Sequence, residues 1–122
     1  MKRKLLTIFC AAMITVLSIP SFASADTIVI DEDKRTKDFS DKWVLSTTVY
    51  EQGAKCVLTW GYNIILINED YAYSYTVGNR HYSRIKNSRG THTGPVKYAN
   101  EWSDLEVRHG GSNPRYYQVW DN

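Results

Sequence analysis

Three histidines come first in a search for chemistry, because histidine serves as a metal ligand and as a general acid or base near neutral pH. They are His81, His92 and His109. No two of them have the i, i+4 spacing of a metal site, and the chain has no Cys-x-x-Cys pair. We therefore expect no metal and no cofactor, and we interpret His92 and His109 as solvated residues of Gly-rich loops.

A small ribonuclease is the enzyme class that these residue types would fit. Its chemistry needs a base, an acid and a phosphate-binding arginine that converge on one face. His81, Glu106 and either Arg84 or Arg108 supply those types, but their spacing does not specify such an arrangement. The chain also has no G-x-S-x-G elbow and no Walker loop. We expect a protein that is not an enzyme, with the ribonuclease as an alternative.

Aromatic side chains are the other candidates, since the chain has four tryptophans and nine tyrosines. Residues 71–77 read Tyr-Ala-Tyr-Ser-Tyr-Thr-Val, so Tyr71, Tyr73 and Tyr75 share one face of a strand. Large rings usually fill a core. The alternative is an exposed apolar surface with hydroxyls at its rim, which suits a sugar ring, a lipid-linked sugar or a second copy of the protein.

Strands must hold these side chains, because no segment after residue 25 shows sustained helical periodicity. The alternating segments are separated by turns rich in Gly, Pro and Asn. This pattern predicts an all-β fold, a small antiparallel β-sandwich of two roughly three-stranded sheets. The expected strands cover residues 27–30, 43–50, 55–60, 62–67, 71–77, 80–86, 98–107 and 115–120.

Three further expectations concern particular segments. Residues 64–67 form a continuous apolar run, which predicts a strand covered on both sides. The Gly78-Asn79 pair suits a primed turn with positive φ, followed by a returning hairpin arm. We expect the core to be held by Trp60, Trp102 and Trp120.

The N-terminus predicts export. Basic residues at positions 2–4 precede an apolar run over residues 5–19, and residues 23–25 supply the small-x-small pattern of a cleavage site. The apolar run is shorter than the roughly 20 residues that span a bilayer. We therefore expect cleavage between Ala25 and Asp26 and a secreted, extracellular protein.

Removal of this signal peptide, residues 1–25, would leave a polar extension over residues 26–42 and a sandwich domain over residues 43–122. Loss of three basic residues leaves 12 basic against 13 acidic ones, so the formal charge changes from +2 to −1. Such a surface has no broad cationic field for nucleic acid, and no other segment is apolar enough for stable membrane insertion. Cys56 would be the only cysteine left, either as a buried thiol or as half of an intermolecular disulfide.

Five short motifs, taken in order, resemble those of the lactococcin 972 family of bacteriocins. They are Trp-Gly-Tyr at 60–62, Tyr-Ser-Tyr at 73–75, Arg-His-Tyr-Ser at 80–83, Trp-Ser at 102–103 and Tyr-Tyr at 116–117. The resemblance covers residues 55–122. The chain departs from the family pattern at Arg84, where a threonine is usual, and in the longer stretch that precedes residue 55.

The resemblance implies a secreted β-sandwich without catalysis that forms a homodimer. It implies binding to lipid II, the lipid-linked cell-wall precursor, or to another envelope component of competing Gram-positive bacteria, with inhibition of growth and septum formation. On this interpretation Tyr73, Tyr75 and His81 bind the ligand, and Arg80 or Arg84 contacts an anionic group. A secreted carbohydrate-binding or adhesive module is the other non-enzymatic alternative.

Overall fold

The computed structural model describes residues 26–33 and 38–122. The predicted signal peptide, with Ala25 at its cleavage site, lies outside the described residues. The described ranges contain strands and turns but no helix. The strands are β1 (Thr27–Asp33), β2 (Trp43–Glu51), β3 (Ala54–Asn63), β4 (Glu69–Thr76), β5 (His81–Asn87), β6 (Gly90–Thr93), β7 (Trp102–Arg108) and β8 (Arg115–Trp120).

Two antiparallel sheets form the sandwich, which confirms the predicted all-β fold. The first sheet has the strand order β1-β8-β5-β6, and the second has the order β2-β3-β4-β7. Each sheet has four strands rather than about three. In the first sheet, β1 extends the strand predicted at residues 27–30 to Asp33, and β6 lies in a segment expected to be a loop.

The turns differ from expectation in an informative way. Gln52 and Gly53, with φ of 51° and 80°, form the primed two-residue turn between β2 and β3. Neither Gly78 nor Asn79 has positive φ. The chain crosses there from the second sheet to the first, so the predicted hairpin between β4 and β5 is wrong. A Cβ on Gly78 would lie 2.4 Å from that of Ala54, so this glycine is required for close packing and not for a left-handed conformation.

The apolar run at residues 64–67 is a loop and not a strand, so that prediction is also wrong. β3 continues through Gly61 to Asn63, which pairs with Glu69 at the start of β4. The intervening residues must therefore reverse the chain, and no third strand covers them. Ile65 is 81% exposed and Leu66 is 94% exposed.

Apolar side chains between the two sheets form the main core. Trp60 and Trp120 lie in it, each 4% exposed, as predicted. Trp102 is 45% exposed, which contradicts its predicted core position, because Ser103 is the residue of β7 that points inward at this register. Cys56 is fully buried among the core residues, which places its thiol away from any intermolecular disulfide.

Polar side chains occupy the interior beneath β4. Ser83 Oγ donates a hydrogen bond to Ser74 Oγ at 2.8 Å, and the backbone N–H of Ser83 donates to Ser103 Oγ at 3.1 Å. Gln118 Nε2 donates to the carbonyl oxygen of Tyr75 at 3.0 Å. These fully buried groups join the two sheets, and they fix the position of the strand that carries the tyrosines.

Candidate functional site

The three alternating tyrosines lie on the outer surface of the second sheet. Their neighbours on β4, which are Ala72, Ser74 and Thr76, point into the sandwich and are fully buried. Tyr71, Tyr73 and Tyr75 therefore point outward and are only partly buried. Of the two interpretations of the stripe, the structure supports the surface and not the core.

Ring contacts extend this row to a fourth aromatic residue. The rings of Tyr71 and Tyr73 are stacked, with centroids 5.1 Å apart and planes 28° apart. Trp102 lies directly opposite Tyr75 in the register of β7, and their centroids are 5.2 Å apart. We call the surface formed by Tyr71, Tyr73, Tyr75 and Trp102 the tyrosine face.

A glycine on the neighbouring strand allows Tyr71 to lie across the sheet. Gly61 stands opposite Tyr71 in β3, and a Cβ there would come within 2.5 Å of the Tyr71 hydroxyl. Because that space is empty, the ring crosses β3, and its hydroxyl donates to the carbonyl oxygen of Trp43 at 3.4 Å. The result is a ring held flat on the sheet surface.

Hydrogen-bond acceptors border the rings on one side. The Tyr73 hydroxyl donates to the Glu106 carboxylate, and the Tyr75 hydroxyl donates to Asn100 Oδ1 at 3.3 Å. Asp104 lies opposite Tyr73 on β7 and is exposed. Burial, then the hydrogen bond and negative charge of Glu106, raise the pKa of Tyr73 well above its usual value, so this phenol stays neutral.

The arginines predicted to contact an anionic group lie elsewhere. Arg80 is in the link between β4 and β5, and its guanidinium is 2.6 Å from the Asp121 carboxylate. Arg84 lies on the outer surface of the first sheet, with its Cζ 5.8 Å from the Tyr82 ring centroid and 5.6 Å from that of Tyr117. The structure therefore places Tyr73 and Tyr75 together but does not bring Arg84 or Arg80 to the same surface.

His81 lies in the interior and not at a surface. It is fully buried, with Nδ1 3.0 Å from the Asn79 carbonyl oxygen and Nε2 3.2 Å from that of Ser74. The alternation along β5 turns His81, Ser83 and Ile85 inward, which removes this imidazole from contact with a surface ligand. It serves as a positioning residue for β4.

The ribonuclease arrangement of base, acid and arginine is also not assembled. His81 is buried between the sheets, whereas Glu106 and Arg108 share the outer surface of the second sheet and Arg84 lies on the opposite outer surface. Within residues 26–33 and 38–122, no three metal-ligating side chains cluster. No helix in the same ranges is long and apolar enough to cross a membrane.

His109 is packed instead of being a solvated loop residue. Its Nδ1 is 2.7 Å from the fully buried Asp70 carboxylate, and the Phe39 ring lies 4.4 Å from its imidazole. Asn87 Nδ2 donates to the second Asp70 oxygen at 3.0 Å. This cluster closes the end of the sandwich next to the loop at residues 64–68, because the His109 N–H donates to the Asn68 carbonyl oxygen.

Sequence reasoning missed Trp102 as a member of the tyrosine face and Asn100 as an acceptor beside it. Only the register of β7 against β4 shows that Trp102 lies against Tyr75, and this register cannot be read from either strand alone. Comparison of the chain with protein-family models, with curated proteins and with solved structures finds no match.

Proposed function

We propose that this chain is a secreted, bacteriocin-like protein that binds the glycan portion of a cell-envelope component of competing Gram-positive bacteria. Lipid II is the component implied by the resemblance to the lactococcin 972 family. The observation that carries the proposal is the tyrosine face, a row of four aromatic rings on an open sheet surface with acceptors beside it.

The chemistry of this face fits a neutral sugar. The negative face of an aromatic ring attracts the C–H bonds on one side of a pyranose. Sugar hydroxyls can donate to the oxygens of Glu106, Asp104 and Asn100, and hydrogen bonds to carboxylates are the stronger kind. The tyrosines recur at every second residue, and the centroids of the first two rings are 5.1 Å apart, so an extended glycan can contact several rings.

The charges on the face favour the sugar over its pyrophosphate as the group bound at the rings. Glu106 and Asp104 flank the rings with negative charge, which opposes an anion there. Two cations share this outer surface, Lys55 at the hairpin end of β3 and Arg108, which lies opposite Glu69 at the loop end of β4 and beside the rings. We therefore assign a pyrophosphate contact to Arg108 in place of Arg80 or Arg84.

Growth inhibition is the first test. The exported protein at micromolar concentration should inhibit a related Gram-positive strain, and added lipid II should relieve that inhibition. Unaltered growth would refute the bacteriocin activity. Retention on peptidoglycan without inhibition would identify an adhesive or carbohydrate-binding module, and RNA cleavage would identify the ribonuclease.

Matched tyrosine variants test the face itself. Tyr73→Ala should weaken binding to soluble glycan strands at least about tenfold, since it removes the central ring and its contact with Glu106. Tyr50→Ala removes a tyrosine that is 69% exposed at a far corner of the same sheet, and it should change binding less than about twofold. Equal effects of the two substitutions would contradict the assignment of the face.

A further inference from the structure

The loop between β3 and β4 exposes four consecutive large aliphatic side chains. Their exposed fractions are 42% for Ile64, 81% for Ile65, 94% for Leu66 and 46% for Ile67. We call residues 64–67 the aliphatic loop. Single exposed aliphatic residues are common on protein surfaces, but a contiguous group at one tip marks an interaction site or an aggregation hazard.

Both ends of the aliphatic loop are fixed by the fold. Asn63 pairs with Glu69 across the β3–β4 ladder, and the Asn68 carbonyl accepts a hydrogen bond of 2.9 Å from the N–H of His109. The packed cluster of His109, Asp70 and Phe39 lies beneath that contact. The four apolar side chains are therefore presented at the end of the sandwich by a rigid base.

The size of the loop argues against a protein partner or a second copy. An aliphatic side chain offers roughly 60–120 Å² of apolar surface, so the four together offer less than about 500 Å². A stable protein interface buries about 800 Å² on each side, with a flat, well-packed centre. A narrow apolar tip falls short of that area, whereas insertion into a bilayer needs only a few ångströms of depth.

The residues around the loop fit the boundary between a bilayer and water. The partly buried rings of Trp43 and Tyr71 and the exposed Lys42 line one groove near its base, together with Asn63. Tyrosine and tryptophan favour that boundary because one end of each ring is apolar and the other is polar. Glu69 and Glu106 line the groove beside the loop, and Arg108 lies opposite Glu69, so the local charge does not favour an anionic lipid.

We infer that the aliphatic loop inserts reversibly into the outer surface of a lipid bilayer. The contact is peripheral and is independent of glycan recognition, so it occurs on pure lipid. Tyr71, Tyr73 and Tyr75 follow the loop along β4 and would then stand above the lipid surface at increasing height. Insertion would hold the tyrosine face beside groups that project from the membrane.

Vesicle co-sedimentation tests the inference directly. The mass of the exported protein first establishes whether residues 1–25 have been removed. The protein is then mixed with vesicles of phosphatidylcholine alone. The unmodified protein should sediment with the vesicles, and the double variant I65S/L66S should bind at least about tenfold less. Binding should persist in high salt, because apolar insertion is not screened by ions.

A matched double variant controls for the general loss of exposed apolar surface. V77S/V96S removes two side chains that are 46% and 48% exposed near the opposite end of β4. It should bind vesicles within about twofold of the unmodified protein, because this end faces away from the bilayer. Equal losses in the two double variants would overturn the inference.

A label at the loop tip adds a readout of depth. Leu66→Cys can be labelled selectively with a polarity-sensitive fluorophore in protein whose mass shows that residues 1–25, with Cys10, are absent, since Cys56 is fully buried and protected from the reagent. Its emission should shift to shorter wavelength when vesicles are added. No shift, no sedimentation with phosphatidylcholine, or a dimer that I65S/L66S dissociates would each refute membrane insertion. Failure of glycan binding alone would leave the inference intact.

Discussion

Gln118 offers the sharpest test of how the interior holds the tyrosine face. Its side chain is fully buried on β8, and Nε2 donates to the carbonyl oxygens of Val57 and Tyr75, both at 3.0 Å. One amide thus joins the first sheet to two strands of the second. Gln118→Met keeps the length of the side chain but removes both donors.

The cost of this substitution follows from the two acceptors left behind. A buried carbonyl without a partner costs about 1–3 kcal/mol, so two cost about 2–6 kcal/mol before any relaxation. The methionine also removes Gln118 Oε1, which is buried with no hydrogen-bond partner among the described residues and costs about 1–3 kcal/mol in the native protein, so the expected loss is about 1–3 kcal/mol. That is a large fraction of the roughly 5–15 kcal/mol that stabilises a domain of this size.

Urea unfolding followed by tryptophan fluorescence measures the loss as a lower midpoint at an unchanged m-value. Gln52→Met is the matched control, since it makes the same change at an exposed turn residue and should alter stability by less than about 0.5 kcal/mol. A Gln118→Met variant within about 0.5 kcal/mol of the unmodified protein would refute the reasoning, because its two hydrogen bonds would then contribute nothing.

Two further predictions concern tyrosine hydroxyls. The Tyr116 hydroxyl is buried with no hydrogen-bond partner among the described residues, so Tyr116→Phe should leave stability unchanged or raise it by up to about 1 kcal/mol in the same urea assay; a clear loss would contradict this. Burial, with a smaller effect from nearby Asp70, raises the pKa of Tyr62 and Tyr116, and burial with the Glu106 contact raises that of Tyr73. As the pH rises, these phenols ionise in the unfolded chain before they ionise in the folded protein. Their contribution to the free energy of unfolding is therefore complete below pH 10 and declines above it. Equal free energies of unfolding at about pH 9 and pH 11 would contradict the raised pKa values.

The alternation of residues 71–77 predicted the strand and the shared face of its tyrosines, but it could not show which face meets the core. Large rings normally point inward, and Ala72, Ser74 and Thr76 would normally be the solvent side. The opposite sheet decides otherwise, since Ser83 and Gln118 approach β4 from within and require short or polar partners there. This information resides in strands that are distant in sequence.

Two local patterns misled for related physical reasons. The run at residues 64–67 has the composition of a buried strand, but strand pairing ends at Asn63 and Glu69, so tertiary pairing overrides composition. Gly78-Asn79 has the composition of a primed turn, whereas the glycine is needed for its small size beside Ala54. In both cases the residue types were read correctly, but the partners that determine their role were absent from the local sequence.

The buried polar groups beneath β4 account for the orientation of the tyrosine face better than any property of the tyrosines. A slip of β4 by one residue would turn its tyrosines inward and leave the interior acceptors and donors unmatched. His81 and Gln118 both bond to carbonyl oxygens of β4, at Ser74 and Tyr75, and so oppose that slip. The histidine that first appeared as a candidate for chemistry therefore serves the surface indirectly, because it specifies the single register in which the rings face outward.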